Sequence, residues 1–99
     1  MKHEHKTGAW FELPEDITQR QLELYEAESR KTLEGASPVT DALLARAALL
    51  GAFKAEFIAG SEGLPTKLKD IDEAPARLLW WMARTIAEFI AGLKSPDPN

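Results

Sequence analysis

The chain contains no cysteine. That excludes a disulfide framework, a thiolate metal site, an iron–sulfur cluster and a thiol nucleophile. It fits a reducing cytosol. Histidine is scarce: His3 and His5 both lie in the first five residues, so none is available further along to complete a catalytic triad. Positive charge is not in excess either, with 12 Lys plus Arg against 16 Asp plus Glu and a net charge of −4. Nonspecific nucleic-acid affinity comes mostly from neutralising phosphates. Docking on anionic lipid needs clustered basic residues. The expected partners therefore include no nucleic acid and no membrane. A long apolar run is missing as well. The most apolar stretch, 41–60, is interrupted by Arg46, Lys54 and Glu56. A spanning helix needs about 20 mostly uncharged residues. Met1 to Lys6 is charged with no apolar core behind it, unlike a signal peptide. The expected location is cytoplasmic.

What remains is ordinary globular composition: 99 residues, 44% hydrophobic and 28% charged. A chain of this length predicts one domain, burying about 60–70% of its unfolded surface. Residues 1–8 are polar and read as a flexible N-terminal tail. Residues 9–94 read as a single helical domain. Residues 95–99 hold two prolines and read as a flexible C-terminal tail. Ala9 to Leu13 has the pattern of a short extended segment, stopped by Pro14. A lone strand makes no sheet, so this segment must pack on helices or pair with a partner.

The expected fold class is all-α, with three main helices in a small bundle at about 18–35, 38–59 and 73–92. Thr18 with Gln21 forms the pattern of a capping box, and Ile17 with Leu22 that of a hydrophobic staple. Leu22, Tyr25, Ser29 and Leu33 make a thin stripe on an otherwise charged helix that Gly35 terminates. Ser37-Pro38 suggests a cap followed by proline at the first helical position. In the second helix, Ala45, Ala48, Ala52, Ala55 and Ala59 form a smooth face on which another helix can approach closely. Leu43, Leu49, Leu50, Phe53, Phe57 and Ile58 cover much of the rest, as in a core helix. The connector 60–74 holds Gly60, Gly63 and Pro65, with Leu64, Leu68 and Ile71 able to anchor a short helical turn. Leu43, Leu50, Phe53, Phe57, Leu79, Ile86 and Ile90 are the expected core.

No constellation in the chain carries chemistry. His3 and His5 flank Glu4, but an isolated pair lacks the third ligand and supporting shell of a metal site. It reads as part of a loose tail. Glu12, Glu15 and Asp16 could pair for acid–base work, but that needs a pocket that separates their pKa values. Glu15 and Asp16 lie just before a helix N-terminus, where the dipole favours negative charge. The same reasoning covers Asp70, Asp72 and Glu73 ahead of the third helix, which also lack the spacing of a calcium loop. Gly60-Ser61-Glu62-Gly63 has no Gly-Lys-Ser/Thr ending, so it is no phosphate loop. The expectation is no catalytic, cofactor-binding or metal-binding residues, no cofactor, and no enzyme.

The third helix is more informative. Leu79, Met82, Ile86, Phe89, Ile90 and Leu93 gather on one arc at 100° per residue. Arg77, Arg84 and Glu88 mark the opposite side. Trp81 falls between Arg77 and Glu88, and Trp80 near Arg84 and Ala87. The adjacent indoles cannot both enter one core. Either a second layer, from the 10–13 segment or the first helix, covers one of them, or one is an exposed anchor. Tryptophan and arginine are the residues most enriched at binding hot spots. Trp80, Trp81, Arg77 and Arg84 are therefore the candidate protein-binding residues.

The order of these pieces carries a resemblance. The start Trp10-Phe11-Glu12-Leu13-Pro14 leads to a charged helix opened by Thr18 and carrying Gln21-Leu22-Glu23. An apolar middle helix follows, then a closing Trp-containing helix with Arg84 and Glu88. Over roughly residues 9–95 this resembles the small tail assembly chaperones of long-tailed, siphovirus-like bacteriophages or prophages. The resemblance rests on packing patterns. It implies a protein that binds the long, helical, aggregation-prone tape-measure protein until tail-tube subunits polymerise around it, in the host cytoplasm. Such work needs apolar grooves and no cofactor. The competing reading is a small helical adaptor or structural subunit, including a homodimer or other homo-oligomer. A helix-turn-helix regulator is disfavoured, because it needs a short turn between helices and the 60–74 connector is long.

Overall fold

The structure, a computed structural model, describes residues 1–94. In chain order it contains β1 (Lys2–Glu4), β2 (Trp10–Glu12), α1 (Gln19–Leu33), α2 (Asp41–Ala55), β3 (Gly60–Glu62), α3 (Leu68–Ile71) and α4 (Ala76–Lys94). The all-α expectation is therefore wrong. Alongside the four helices, three antiparallel strands pair in the order β1-β2-β3. The 10–13 segment supplies the central strand, and its partners come from residues read as a loose tail and a connector. The expectation for 95–99 lies outside the described residues.

The sheet has two chemically distinct faces, as strand alternation requires. His3, Phe11 and Ser61 sit in register across it and form the inner row. Phe11 is fully buried there. Lys2, Glu4, Trp10, Glu12, Gly60 and Glu62 form the outer rows. The Trp10 indole donates to Glu62 Oε2 at 2.8 Å, and Lys2 Nζ stands 4.5 Å from its ring centre. Pairing continues past the formal strand ends. The Met1 amino group donates to the Leu13 carbonyl, and the Ala59 N–H donates to the Glu12 carbonyl at 3.1 Å.

Helix α1 starts as its sequence demands. The Gln21 N–H donates to Thr18 Oγ1 at 3.1 Å, and the Thr18 N–H returns a bond to Gln21 Oε1 at 3.0 Å. This capping box satisfies two otherwise orphaned donors. Gln21 does more than cap: its Nε2 donates to the Ala55 carbonyl at 3.2 Å, satisfying an end carbonyl of α2. Gln21→Glu keeps the box and adds favourable charge near a helix start, but loses that donor and sets a carboxylate beside a carbonyl. We expect a net loss of about 1 kcal/mol in urea denaturation. An unchanged midpoint would mean that the Ala55 contact contributes nothing.

Helix α2 is shorter at both ends than the 38–59 expectation. It begins after Thr40, whose hydroxyl accepts the Leu43 N–H at 3.1 Å. Pro38 lies in the loop between α1 and α2, after a cis peptide bond. At the other end, Glu56 takes a left-handed conformation with φ 55°. This is uncommon for a residue with a side chain. It turns the chain so that Phe57 enters the core, 3% exposed, and the following backbone reaches β2. The third expected helix, at about 73–92, is α4, and the short helical turn expected in the 60–74 connector is α3, which buries Ile71.

The alanine face of α2 is the buried one. Ala45, Ala48, Ala52 and Ala55 are all in the core, with Leu49 beside them. Helix α1 approaches α2 so closely that a Cβ on Gly51 would lie 2.6 Å from Ser29 Oγ. Ser29 in turn donates to the Ala47 carbonyl at 3.0 Å. Because small residues occupy the contact, larger ones are pushed to its flanks. Of the expected core, Phe57, Ile86 and Ile90 are buried. Leu43, Leu50, Phe53 and Leu79 are half-buried. Phe11, Leu13, Leu49 and Met82 take the most enclosed places. Phe57 links the layers through ring contacts with Tyr25 at 5.9 Å and Phe89 at 5.8 Å. Burial pushes the Tyr25 phenol above its usual pKa of 10.0.

Candidate protein-binding groove

Small residues pack α2 against α4, but they leave the two helices unfilled on one side. There a groove of about 930 Å³ opens between them. Its floor is Ala45 and Ala48 from α2 with Ala83 from α4. Leu44 and Trp80 line it as its largest exposed apolar side chains, 48% and 50% accessible. Asp41, Arg77 and Arg84 supply its charge. A smaller hollow of about 270 Å³ adjoins it through Ala45, Ala76 and Trp80. The Arg46–Asp72 ion pair at 2.7 Å borders that hollow and ties the end of α3 to α2. Asp72 thus has a specific partner, beyond the helix-dipole role read from sequence.

All four candidate binding residues reach this groove, but the tryptophans divide differently from the helical-wheel reading. Trp80 is the exposed one. Trp81, placed by the wheel on the polar side, is half-buried. The β1–β2 hairpin lies over it: Phe11 meets its ring edge-on at 5.4 Å and His5 at 5.1 Å. Of the two alternatives left open for the pair, the 10–13 segment provides the covering layer for Trp81, and Trp80 remains as the accessible indole. Sequence reasoning missed Leu44 and Asp41. Leu44 stands four residues before Ala48 on the same side of α2, a spacing that signals its place beside the alanine face.

The histidines also find a role that neither sequence reading supplied. His3 packs against Phe11 at 5.5 Å between centroids, and His5 packs on Trp81. Glu4, between them, faces the other way and pairs with Lys2 at 3.4 Å. Strand alternation therefore separates the three residues. Among the described residues no group of three or more His, Cys, Asp or Glu side chains is placed to hold a metal ion.

The groove's electrostatics are unusual for this chain. Among the described residues, neither Arg77 nor Arg84 takes part in an ion pair. Arg77 sits in the first turn of α4, which carries no acidic residue. A cation there opposes the helix dipole. Asp41, in contrast, suits its own place in the first turn of α2. No helix among the described residues is long and apolar enough to cross a membrane. No protein-family model, curated protein or solved structure matches the chain.

Proposed function

We propose that this chain is a non-enzymatic protein-binding protein, a tail assembly chaperone that holds a helical segment of a tape-measure protein in the α2/α4 groove, in the host cytoplasm. The observation that carries the reading is the groove itself, with an exposed indole and an exposed leucine beside a floor of alanines. Grooves lined by two helices receive the apolar face of a third. An alanine floor admits large side chains from that third helix. An indole beside it can remove about 150–250 Å² from water on binding. Holding a client reversibly suits many modest apolar contacts and requires no reactive group. The described residues bury no polar or charged side chain. The tape-measure client comes from the resemblance, which supplies the long helical partner that such a groove fits.

The test is co-expression with the tape-measure protein of the same genome. The client is expected to stay soluble and to co-purify with this chain. Trp80→Ala should abolish co-purification while the isolated chain stays folded with only a modest fall in thermal midpoint, because half of Trp80 is exposed. A client that precipitates equally with and without this chain, or a genome that encodes no tape-measure protein, overturns the reading.

A further inference from the structure

Resting on that groove reading, we infer that the occupant is an acidic amphipathic helix, whose large apolar side chains seat on the alanine floor and whose carboxylates meet Arg77 and Arg84. Charge complementarity carries the argument. The chain as a whole is at −4, yet its groove presents two arginines against one aspartate. Neither arginine is in an ion pair among the described residues. Arg77 is set where the helix dipole disfavours it, so a partner carboxylate at that point relieves the mismatch.

The arginines stand seven residues apart on α4, about 10 Å along the helix axis. That is two turns, so both lie on one side of the helix with Trp80 between them in sequence. Arginine binds carboxylate through a planar fork of donors. A partner helix lying along α4 with Glu or Asp at two positions seven apart engages both forks while its apolar face covers Trp80 and Leu44. A lysine-flanked helix meets like charge at the same two places. A second copy of this chain is a poorer fit, because pairing the groove with itself sets four arginines against two aspartates.

The experiment is selection from a displayed library of helical peptides of about five turns. Their apolar face is fixed as Leu, Phe and Ala, and their flanking positions are randomised among Glu, Gln and Lys. Selected against the full chain, Glu should be enriched about tenfold over Lys at two positions seven apart. The double variant Arg77→Glu, Arg84→Glu should reverse the preference to Lys. Arg77→Glu alone should leave the thermal midpoint unchanged or raised, because a carboxylate suits a first turn. If Glu and Lys are recovered equally and Trp80→Ala still abolishes binding, the acidic partner is wrong while the groove reading stands. If the selected peptides bind Trp80→Ala undiminished, both fall. If none is selected and sedimentation shows a dimer that Trp80→Ala dissociates, the occupant is a second copy, and both fall.

Discussion

Phe11→Ala is expected to lower the free energy of unfolding by roughly 3–5 kcal/mol, as for other fully buried phenylalanines. Domains of this kind are stabilised by only about 5–15 kcal/mol in total. Phe11 is 0% exposed at the centre of the middle strand. It contacts His3 across the β1 pairing and Trp81 on α4, so it joins the sheet to the helices. Removing its ring leaves a cavity beneath the one layer that covers Trp81. The measurement is urea denaturation followed by tryptophan fluorescence, with Phe53→Ala beside it. Phe53 is half-buried and should lose clearly less. Equal losses would mean that the sheet does not dock on α4 as described.

The second large effect concerns glycine-to-alanine changes at two helical positions, with opposite signs. Gly51→Ala should destabilise by about 2 kcal/mol, the middle of the range for overpacking. Its new Cβ would lie 2.6 Å from Ser29 Oγ, 2.8 Å from a Tyr25 ring carbon and 2.9 Å from the Tyr25 carbonyl oxygen. The serine hydroxyl can rotate away at the expense of its bond to Ala47. The Tyr25 carbonyl is backbone, so relief there means moving α1. Alanine's helix preference, worth about 1 kcal/mol, offsets only part of this. At Gly92 in α4 a Cβ meets nothing within 4 Å, so Gly92→Ala should gain about 0.5–1 kcal/mol. Thermal midpoints of the two variants give the comparison. Stabilisation by both would show that α1 and α2 are further apart than the structure places them.

Parts of this fold were legible in the sequence because the interactions that create them are local. The Thr18–Gln21 box spans three residues and forms as read. The turn anchored on Ile71 forms where Leu64, Leu68 and Ile71 suggested. Ala45, Ala48, Ala52 and Ala55 share one buried side of α2, since side chains three and four apart share one side of a helix. The close approach of α1 is at Gly51 instead, and Ala59 lies beyond the helix and is exposed. Even the 10–13 segment was recognisably extended, needing a partner that the local pattern did not name. The helix ends were harder. Glu56 carries no signal for a left-handed residue, and α2 stops there because Phe57 has a place in the core and the backbone beyond it pairs with β2.

The sheet was not legible. Lys2–Glu4 and Gly60–Glu62 have no apolar alternation, and Trp10 meets Glu62 across 52 residues of chain. Backbone pairing at that distance leaves little trace in a three-residue strand. The same limit governed the groove. Composition, the adjacent tryptophans and the placement of Arg77 and Arg84 on α4 were enough to single these residues out as candidates, and all four line the groove. Which indole stays in solvent was decided by tertiary structure alone. A helical wheel records where a side chain points, whereas exposure depends on what another segment lays over it. Here that segment is the hairpin carrying His5 and Phe11, which covers Trp81 and leaves Trp80 open beside Leu44.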